Sequence, residues 1–351
     1  MYRYVLFLLL GSLLFLDSRA SHNSKYDWYA SRRFLYDHIP VTLHFAPARE
    51  SLGRELWSYL EQMGPVFNPY QKSGELARIN ERAAYEAVPL HPEIRKLLLL
   101  SRQLHHLTGG DFDVTVMPLV KCWKNAAKKG RLPSPEEIGR ARAAVGLNKV
   151  HITNDKISYA KPHVELDFGG IAKGFFIDEV TARLRQRKIQ SWLVQVGGEI
   201  SVRSGPDGWG AVIGIQHPES PHRIWTQIKD PGTGLSVSTS GNYHRPLRIG
   251  PKKTLYHIFD PHAGSPVATS TLSATIVFPE IGKNAYADAL STTAVIMPPE
   301  RFLQLARKLG AEALILQKNG PRIVEIKTPG WDRLVLAAPH SAGEVLPRPV
   351  F

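Results

Sequence analysis

Apolar positions recur at helical spacing early in the chain and alternate over short runs later. Residues 50–66 place Leu52, Leu56, Leu60 and Met63 on one stripe, which predicts an amphipathic helix. A short helix is expected over 75–80. A longer one over 92–108 is stopped by Gly109-Gly110. Ser134-Pro135-Glu136-Glu137 reads as a capping box with proline at the first helical position, opening a helix that reaches Val145 and ends at Gly146. Further helices are predicted over 284–296 and 299–309. Strands are predicted over 41–45, 150–153, 157–159, 164–166, 192–196, 199–203, 211–215, 223–229, 235–239, 254–259, 272–278, 313–316, 322–326 and 334–336. Residues 111–116 read as strand or loop. Long helices first and clustered strands later predict an α+β fold rather than an alternating α/β sheet. No repeat or linker divides the chain, so one domain is expected over 26–339, with a loose tail over 340–351.

The stretch Leu166-Asp-Phe-Gly-Gly-Ile-Ala-Lys-Gly-Phe-Phe-Ile-Asp178 concentrates the chemistry. A short strand enters it, Gly169 and Gly170 permit a sharp turn, and a helix follows to about Arg187 with Ile171, Phe175, Val180 and Leu184 on one face. A glycine turn opening a helix presents free N–H groups and the positive end of the helix dipole. Lys173 falls in that first turn, where the dipole disfavours a cation unless an anion shares the space. The pattern is not a phosphate-binding G-K-[ST] loop, and taken alone the segment reads first as a structural strand-to-helix turn.

Composition narrows the setting. Arg3 precedes an apolar run over 4–16, and Ser18-Arg19-Ala20 has small residues at the positions a signal peptidase reads. Residues 1–20 are therefore expected to be a signal peptide cleaved near Ala20, with an uncleaved membrane anchor as the alternative. Cys122 is the only cysteine, which excludes an intramolecular disulfide. The net charge of +13 admits nucleic acid, anionic membrane or an anionic ligand. The basic clusters at 121–131 and 183–188 lack interleaved aromatics, however, and match no nucleic-acid motif.

Three further stretches carry candidate chemistry. On a helix, Asp288, Ser291 and Thr292 share one face as an all-oxygen set. Such donors suit Mg²⁺ beside a phosphate better than zinc or copper, but taken alone the helix reads first as an amphipathic one whose hydroxyls bond back to the preceding turn. His257, on a strand running into Asp260-Pro261, is a candidate general base or a half-buried strand histidine. Ser238 to Tyr243 can present hydroxyls and N–H groups to a ligand, and Val196-Gly197-Gly198-Glu199 reads as a structural bend. No G-x-S-x-G, H-E-x-x-H, paired C-x-x-C or G-x-G-x-x-G occurs.

Taken in order, these motifs resemble the FAD:protein FMN transferase family, the ApbE flavin transferases. The resemblance rests on Tyr70 with Ser73-Gly-Glu-Leu-Ala-Arg-Ile-Asn80 and on Thr108-Gly-Gly-Asp-Phe-Asp-Val-Thr115 before Pro118. It continues through Leu166 to Gly174 with Asp178, Leu193 to Glu199, Ser238 to Tyr243, His257 to Val267, and Ala287-Asp-Ala-Leu-Ser-Thr292. It implies a single T-fold-like domain, a mostly antiparallel sheet with flanking helices. It implies FAD as substrate with its diphosphate on Mg²⁺, the metal held by Asp288, Thr292, Ser291 and the Gly170 carbonyl. FAD contacts carry over to Tyr70, Asp111, Phe112, Asp113, Asp167, Lys173 and Phe259, and His257 stands where the family's histidine assists the attacking hydroxyl. The implied reaction moves FMN from FAD to a threonine or serine of an exported acceptor, a sodium-pumping quinone reductase or Rnf-type subunit or another redox protein, and releases AMP. That places the chain in the periplasm, near the inner membrane through its acceptor, with no nucleic-acid partner.

Three positions depart from the family pattern. Asp37-His38-Ile39 replaces Met-Gly-Thr, Asn242 stands where aspartate is common, and Ser291 stands where alanine or aspartate is usual. Two other activities fit the same residues: an FAD pyrophosphatase giving free FMN and AMP, and a non-catalytic periplasmic FAD-binding protein.

Overall fold

A computed structural model describes residues 4–9, 12–17, 27–205, 210–241, 247–249 and 253–336, with 4–17, 247–249 and 253–254 described by backbone alone. Ala20, Asn242 and the tail over 340–351 lie outside the described residues. The α+β expectation holds. Eight strands form one sheet: β1 (Tyr29–Leu35), β2 (Ile39–Ala46), β3 (Ser191–Val196), β4 (Glu199–Arg203), β5 (Leu235–Gly241), β6 (Thr271–Phe278), β7 (Glu312–Asn319) and β8 (Arg322–Lys327). They lie across the sheet in chain order, and every neighbouring pair is antiparallel.

The helices are α1 (Glu50–Phe67), α2 (Glu75–Arg82), α3 (Pro92–Thr108), α4 (Met117–Lys128), α5 (Pro135–Ala143), α6 (Ala172–Gln186), α7 (Asn284–Ile296) and α8 (Pro299–Lys308). On one sheet face Val41, Leu43, Phe45, Trp192 and Val194 share a core with α1, α3 and α6, and Ala274, Ile276 and Ile315 share another with α7 and α8. On the other face Leu193, Val202, Val237 and Leu314 pack with Ile213, Ile215 and Ile228 of the hairpin Val212–His217 and Ser220–Lys229. Both faces of β3 are thus covered, which is why all six of its residues are buried and its alternation is masked.

Several elements differ from the sequence reading. Residues 164–166 form no strand. Asn80 supplies the partner instead, donating from Nδ2 to the Leu166 carbonyl (2.9 Å) and accepting the Leu166 N–H at Oδ1 (2.8 Å). The strand expected over 254–259 is split, with a short strand at Lys253–Leu255, a bend at His257 and a two-residue strand at Phe259–Asp260. Residues 334–336 follow a 3₁₀ turn (Trp331–Arg333), with a single bridge from Val335 to Ile228. Strand β1 and helix α4 went unpredicted; α4 opens on Met117-Pro118, where proline's missing N–H costs nothing in a first turn. The capping box is present, Ser134 Oγ accepting the Glu137 N–H and Glu137 Oε2 accepting the Ser134 N–H. Within 1–20, Tyr4–Leu9 and Ser12–Asp17 form a hairpin whose second strand pairs with Val212–His217.

Candidate functional site

The site is built on the seam between α6 and α7. Gly174 faces the start of α7 so closely that a Cβ there would lie 2.1 Å from the Asn284 carbonyl oxygen and 2.7 Å from the Ala285 nitrogen. One turn later, Asp178 accepts the backbone N–H groups of Asn284 (2.8 Å) and Ala285 (2.9 Å). It thus does for α7 what an N-cap side chain does, from another helix. Asn284 Nδ2 donates to the Ile200 carbonyl (2.8 Å), tying α7 to β4. Burial pushes the Asp178 carboxyl up to about 7, against the pull of its two N–H donors. Asp178→Ala is expected to remove about 2 kcal/mol or more of stability, read as a lower urea midpoint, because it strips the cap and leaves two buried donors unmatched.

The seam brings oxygens together around one ammonium. Lys173 Nζ lies 3.2 Å from Asp288 Oδ1, 3.2 Å from Glu199 Oε1 and 3.4 Å from the Gly169 carbonyl. The Gly174 N–H donates to Asp288 Oδ2 at 3.1 Å. Burial works against the Lys173 charge, but Asp288 and Glu199 outweigh it and hold the ammonium well above its ordinary value. Burial raises the Glu199 carboxyl, Lys173 opposing and Asp288 adding to the rise. Its second oxygen, Oε2, is buried without a hydrogen-bond partner. Asp288 and Lys173 thus face each other as a charge pair, with Glu199 pushed toward its neutral form beside them.

Beside this group runs a line of hydroxyls. Ser291 Oγ donates to the Asp288 carbonyl (2.8 Å) and lies 2.7 Å from Ser240 Oγ and 3.1 Å from Ser238 Oγ. Ser240 Oγ also stands 3.3 Å from Thr292 Oγ1. Alternation along β5 sends Ser238 and Ser240 to α7 and turns Thr239 to Thr275 on the other face. A methyl placed on Gly170 would sit 3.5 Å from Thr292 Oγ1 and 3.6 Å from the Phe112 ring. The glycine turn, Phe112 and the α7 face thus meet.

The remaining candidates surround this centre or serve it indirectly. Asp167 Oδ1 accepts the Gly169 N–H (2.8 Å) and holds the turn; burial raises its carboxyl against that bond, Lys124 and Lys173. Asp113 Oδ1 accepts the N–H and hydroxyl of Thr115, and its other oxygen is 3.5 Å from His105 Nδ1, so it shapes the 111–115 loop. Asp111 faces His262 and Arg301. Tyr70 is largely exposed, with Lys124 Nζ 5.6 Å from its ring centre. The Phe259 ring is committed to a cluster with Leu119, Trp123 and Val145. His257 is exposed on its bend.

Two participants were missed. Glu199 was read as part of a structural bend, yet the Gly197-Gly198 turn pairs Val196 with Glu199 and turns that carboxylate to Lys173. Gly197, at φ +62°, brings the bend within reach of Lys173 and Ile39, so the departure at 37–39 borders the site. The available signal was a carboxylate opening a strand in which every residue but Arg203 is buried. Asn80 belonged to a quoted motif, but its role as a clamp on the Leu166–Asp167 backbone shows only in three dimensions.

Comparison with known proteins matches residues 38–315 to the ApbE family. A Vibrio cholerae protein named FAD:protein FMN transferase is 29% identical over 274 residues, 77% of this chain and 80% of its own length. A Haemophilus influenzae protein of the same name is 28% identical over 281 residues, again 77% and 80%. Among solved structures, the apo form of Pseudomonas stutzeri flavinyl transferase ApbE superposes with a TM-score of 0.75 at 28% identity, covering 90% of this chain and 98% of that one.

Proposed function

The chain belongs to the ApbE family, and on that premise we propose that it transfers FMN from FAD to a threonine or serine hydroxyl of an acceptor protein, releasing AMP. The observation that carries this reading is the meeting of Lys173 and the Gly174 N–H with Asp288, beside Gly170 and Thr292. Positive groups at a helix start, next to a cluster of oxygen donors, suit a dinucleotide's diphosphate together with a metal ion.

The donor set fits Mg²⁺. It is all oxygen, with one carboxylate, hydroxyls and a backbone carbonyl, and it lacks the nitrogen and sulfur that softer metals select. Asp288, Thr292 and the Gly170 carbonyl would hold the ion, and Ser291, enclosed by Ser238, Ser240 and the Asp288 carbonyl, would support them. Bound there, Mg²⁺ supplies Lewis-acid stabilisation of charge on the diphosphate. Lys173 steadies the same phosphates, and Phe112, Asp111, Asp113, Asp167, Tyr70 and the backbone at Phe259 border the rest of FAD. The acceptor oxygen attacks the phosphorus of the FMN half, the bond to the AMP phosphate breaks, and AMP leaves. His257 takes the hydroxyl proton as the new phosphoester forms.

The acceptor is read as an exported redox subunit of the quinone reductase or Rnf type. The protein itself is read as periplasmic, its leader removed near Ala20. Support for export is the Arg3-led apolar run and its small-residue end. Among the described residues no helix is long and apolar enough to cross a membrane.

Incubation with FAD, Mg²⁺ and an acceptor, followed by nucleotide analysis, tests the reading. AMP and acceptor-bound FMN in equal amounts are expected, stopped by chelation and restored by Mg²⁺. Free FMN with AMP indicates the pyrophosphatase, and intact FAD the binding protein. His257→Ala is expected to slow transfer by about 10²- to 10⁴-fold while FAD still binds, the usual worth of a general base.

A further inference from the structure

Asp111, His262 and Arg301 form a cluster in which only Asp111 has a part so far, on the border of FAD. Asp111 is buried just past the left-handed Gly109 and Gly110 that end α3, while His262 and Arg301 are both exposed. His262 Nε2 lies 3.3 Å from Asp111 Oδ1, and Arg301 Nη1 lies 3.6 Å from Asp111 Oδ2. Arg301 also reaches the Thr108 carbonyl (3.4 Å). The approach is close enough that a Cβ on Gly110 would lie 3.0 Å from the His262 ring. A buried carboxyl between an exposed imidazole and an exposed guanidinium is costly to leave unpaired and so holds its partners in place.

Position gives the cluster its meaning. His262 belongs to the turn that follows His257 and Phe259, in which Asp260 Oδ1 accepts the N–H groups of His262 (2.8 Å) and Ala263 (3.0 Å). Trp123 anchors that turn from α4 through the Gly264 carbonyl (3.0 Å), and Arg142 from α5 through the His262 carbonyl (3.3 Å). Neither anchor reaches the loop that carries Phe112 to the glycine turn. The His262–Asp111 contact does.

We propose that Asp111, His262 and Arg301 act as a latch that sets His257 against the FMN-binding cradle, His262 being a positioning residue for the transfer step. The latch rests on the transferase reading for its consequence, and on geometry alone for its existence. It acts through placement of the 256–264 segment, so its loss lowers turnover and leaves FAD affinity in place.

His262→Ala tests both levels. Hydrogen–deuterium exchange needs no activity: peptides spanning 256–264 are expected to exchange several-fold faster in the variant, and unchanged exchange overturns the latch. For transfer, kcat is expected to fall about tenfold with the Kd for FAD, read by flavin fluorescence, within twofold of wild type. His262→Gln, which can still donate to Asp111, is expected to restore most of it. In a His257→Ala background the same change is expected to cost nothing further; a persisting tenfold loss, or a parallel loss of FAD affinity, overturns positioning through His257. A wild-type protein that moves no FMN rejects the transferase reading instead, and leaves the exchange result to decide the latch.

Discussion

Gly174→Ala is expected to lower the stability of the fold by about 3 kcal/mol or more. The added methyl would meet the Asn284 carbonyl carbon and oxygen at 2.5 and 2.1 Å and the Ala285 nitrogen at 2.7 Å, all main-chain atoms of the first turn of α7. No rotamer change relieves such a contact, so one helix must move. Movement breaks the bonds from Gly174 to Asp288 and from Asn284 and Ala285 to Asp178 together. Overpacking of ordinary cores costs about 1–3 kcal/mol, and this site stands at or above that upper end because its neighbours are rigid. Gly170→Ala is the matched comparison: its methyl meets Thr292 and Phe112 at van der Waals distance and is expected to cost under about 1 kcal/mol. Urea unfolding of the two variants side by side checks the contrast. Equal midpoints would mean that the seam is looser than its distances indicate.

Asp288→Asn is expected to abolish transfer while preserving the shape of the seam. The amide keeps the volume and can still accept the Gly174 N–H. It removes the one carboxylate shared by Lys173 and the proposed metal seat. Unit charges about 4 Å apart at an effective dielectric of 20 interact by about 4 kcal/mol, equivalent to about a 10³-fold loss in rate if expressed in the transition state. The stability change is expected to be smaller, since Glu199 remains beside Lys173 as a counter-ion. Isothermal titration with Mg²⁺ in the presence of FAD, alongside transfer kinetics, checks the assignment. Near-normal transfer would move the metal seat away from α7.

The parts of this site that could be read from the chain were those whose local chemistry is unusual. A glycine pair before a helix with lysine in its first turn, and a carboxylate with hydroxyls at helical spacing, both stand out, and the structure joins them. Glu199 did not stand out, because its orientation depends on which residue of the hairpin pairs across Gly197-Gly198 and not on its neighbours in sequence. Residues 164–166 alternate as a strand should, yet the hydrogen bonds that alternation asks for are met by the side chain of Asn80, 86 residues earlier. Helix α6 was expected to bury one face. It buries Phe176, Ile177 and Thr181 as well, being packed under α7 as well as against the sheet, with Phe67 bringing its ring within 5.4 Å of Phe176 and 5.9 Å of Phe168. In each case the missing information was a distant partner.

Strands laid across the sheet in the order of synthesis have a consequence for when activity can begin. Lys173 and Asp288 are 115 residues apart, and β5 and β6 must take their places in between before α7 can dock. A nascent or truncated polypeptide that stops short of α7 can assemble the early strands, the glycine turn and Glu199 beside Lys173, but lacks the Asp288 carboxylate. The seam between α6 and α7 is therefore completed late, once most of the sheet is in place.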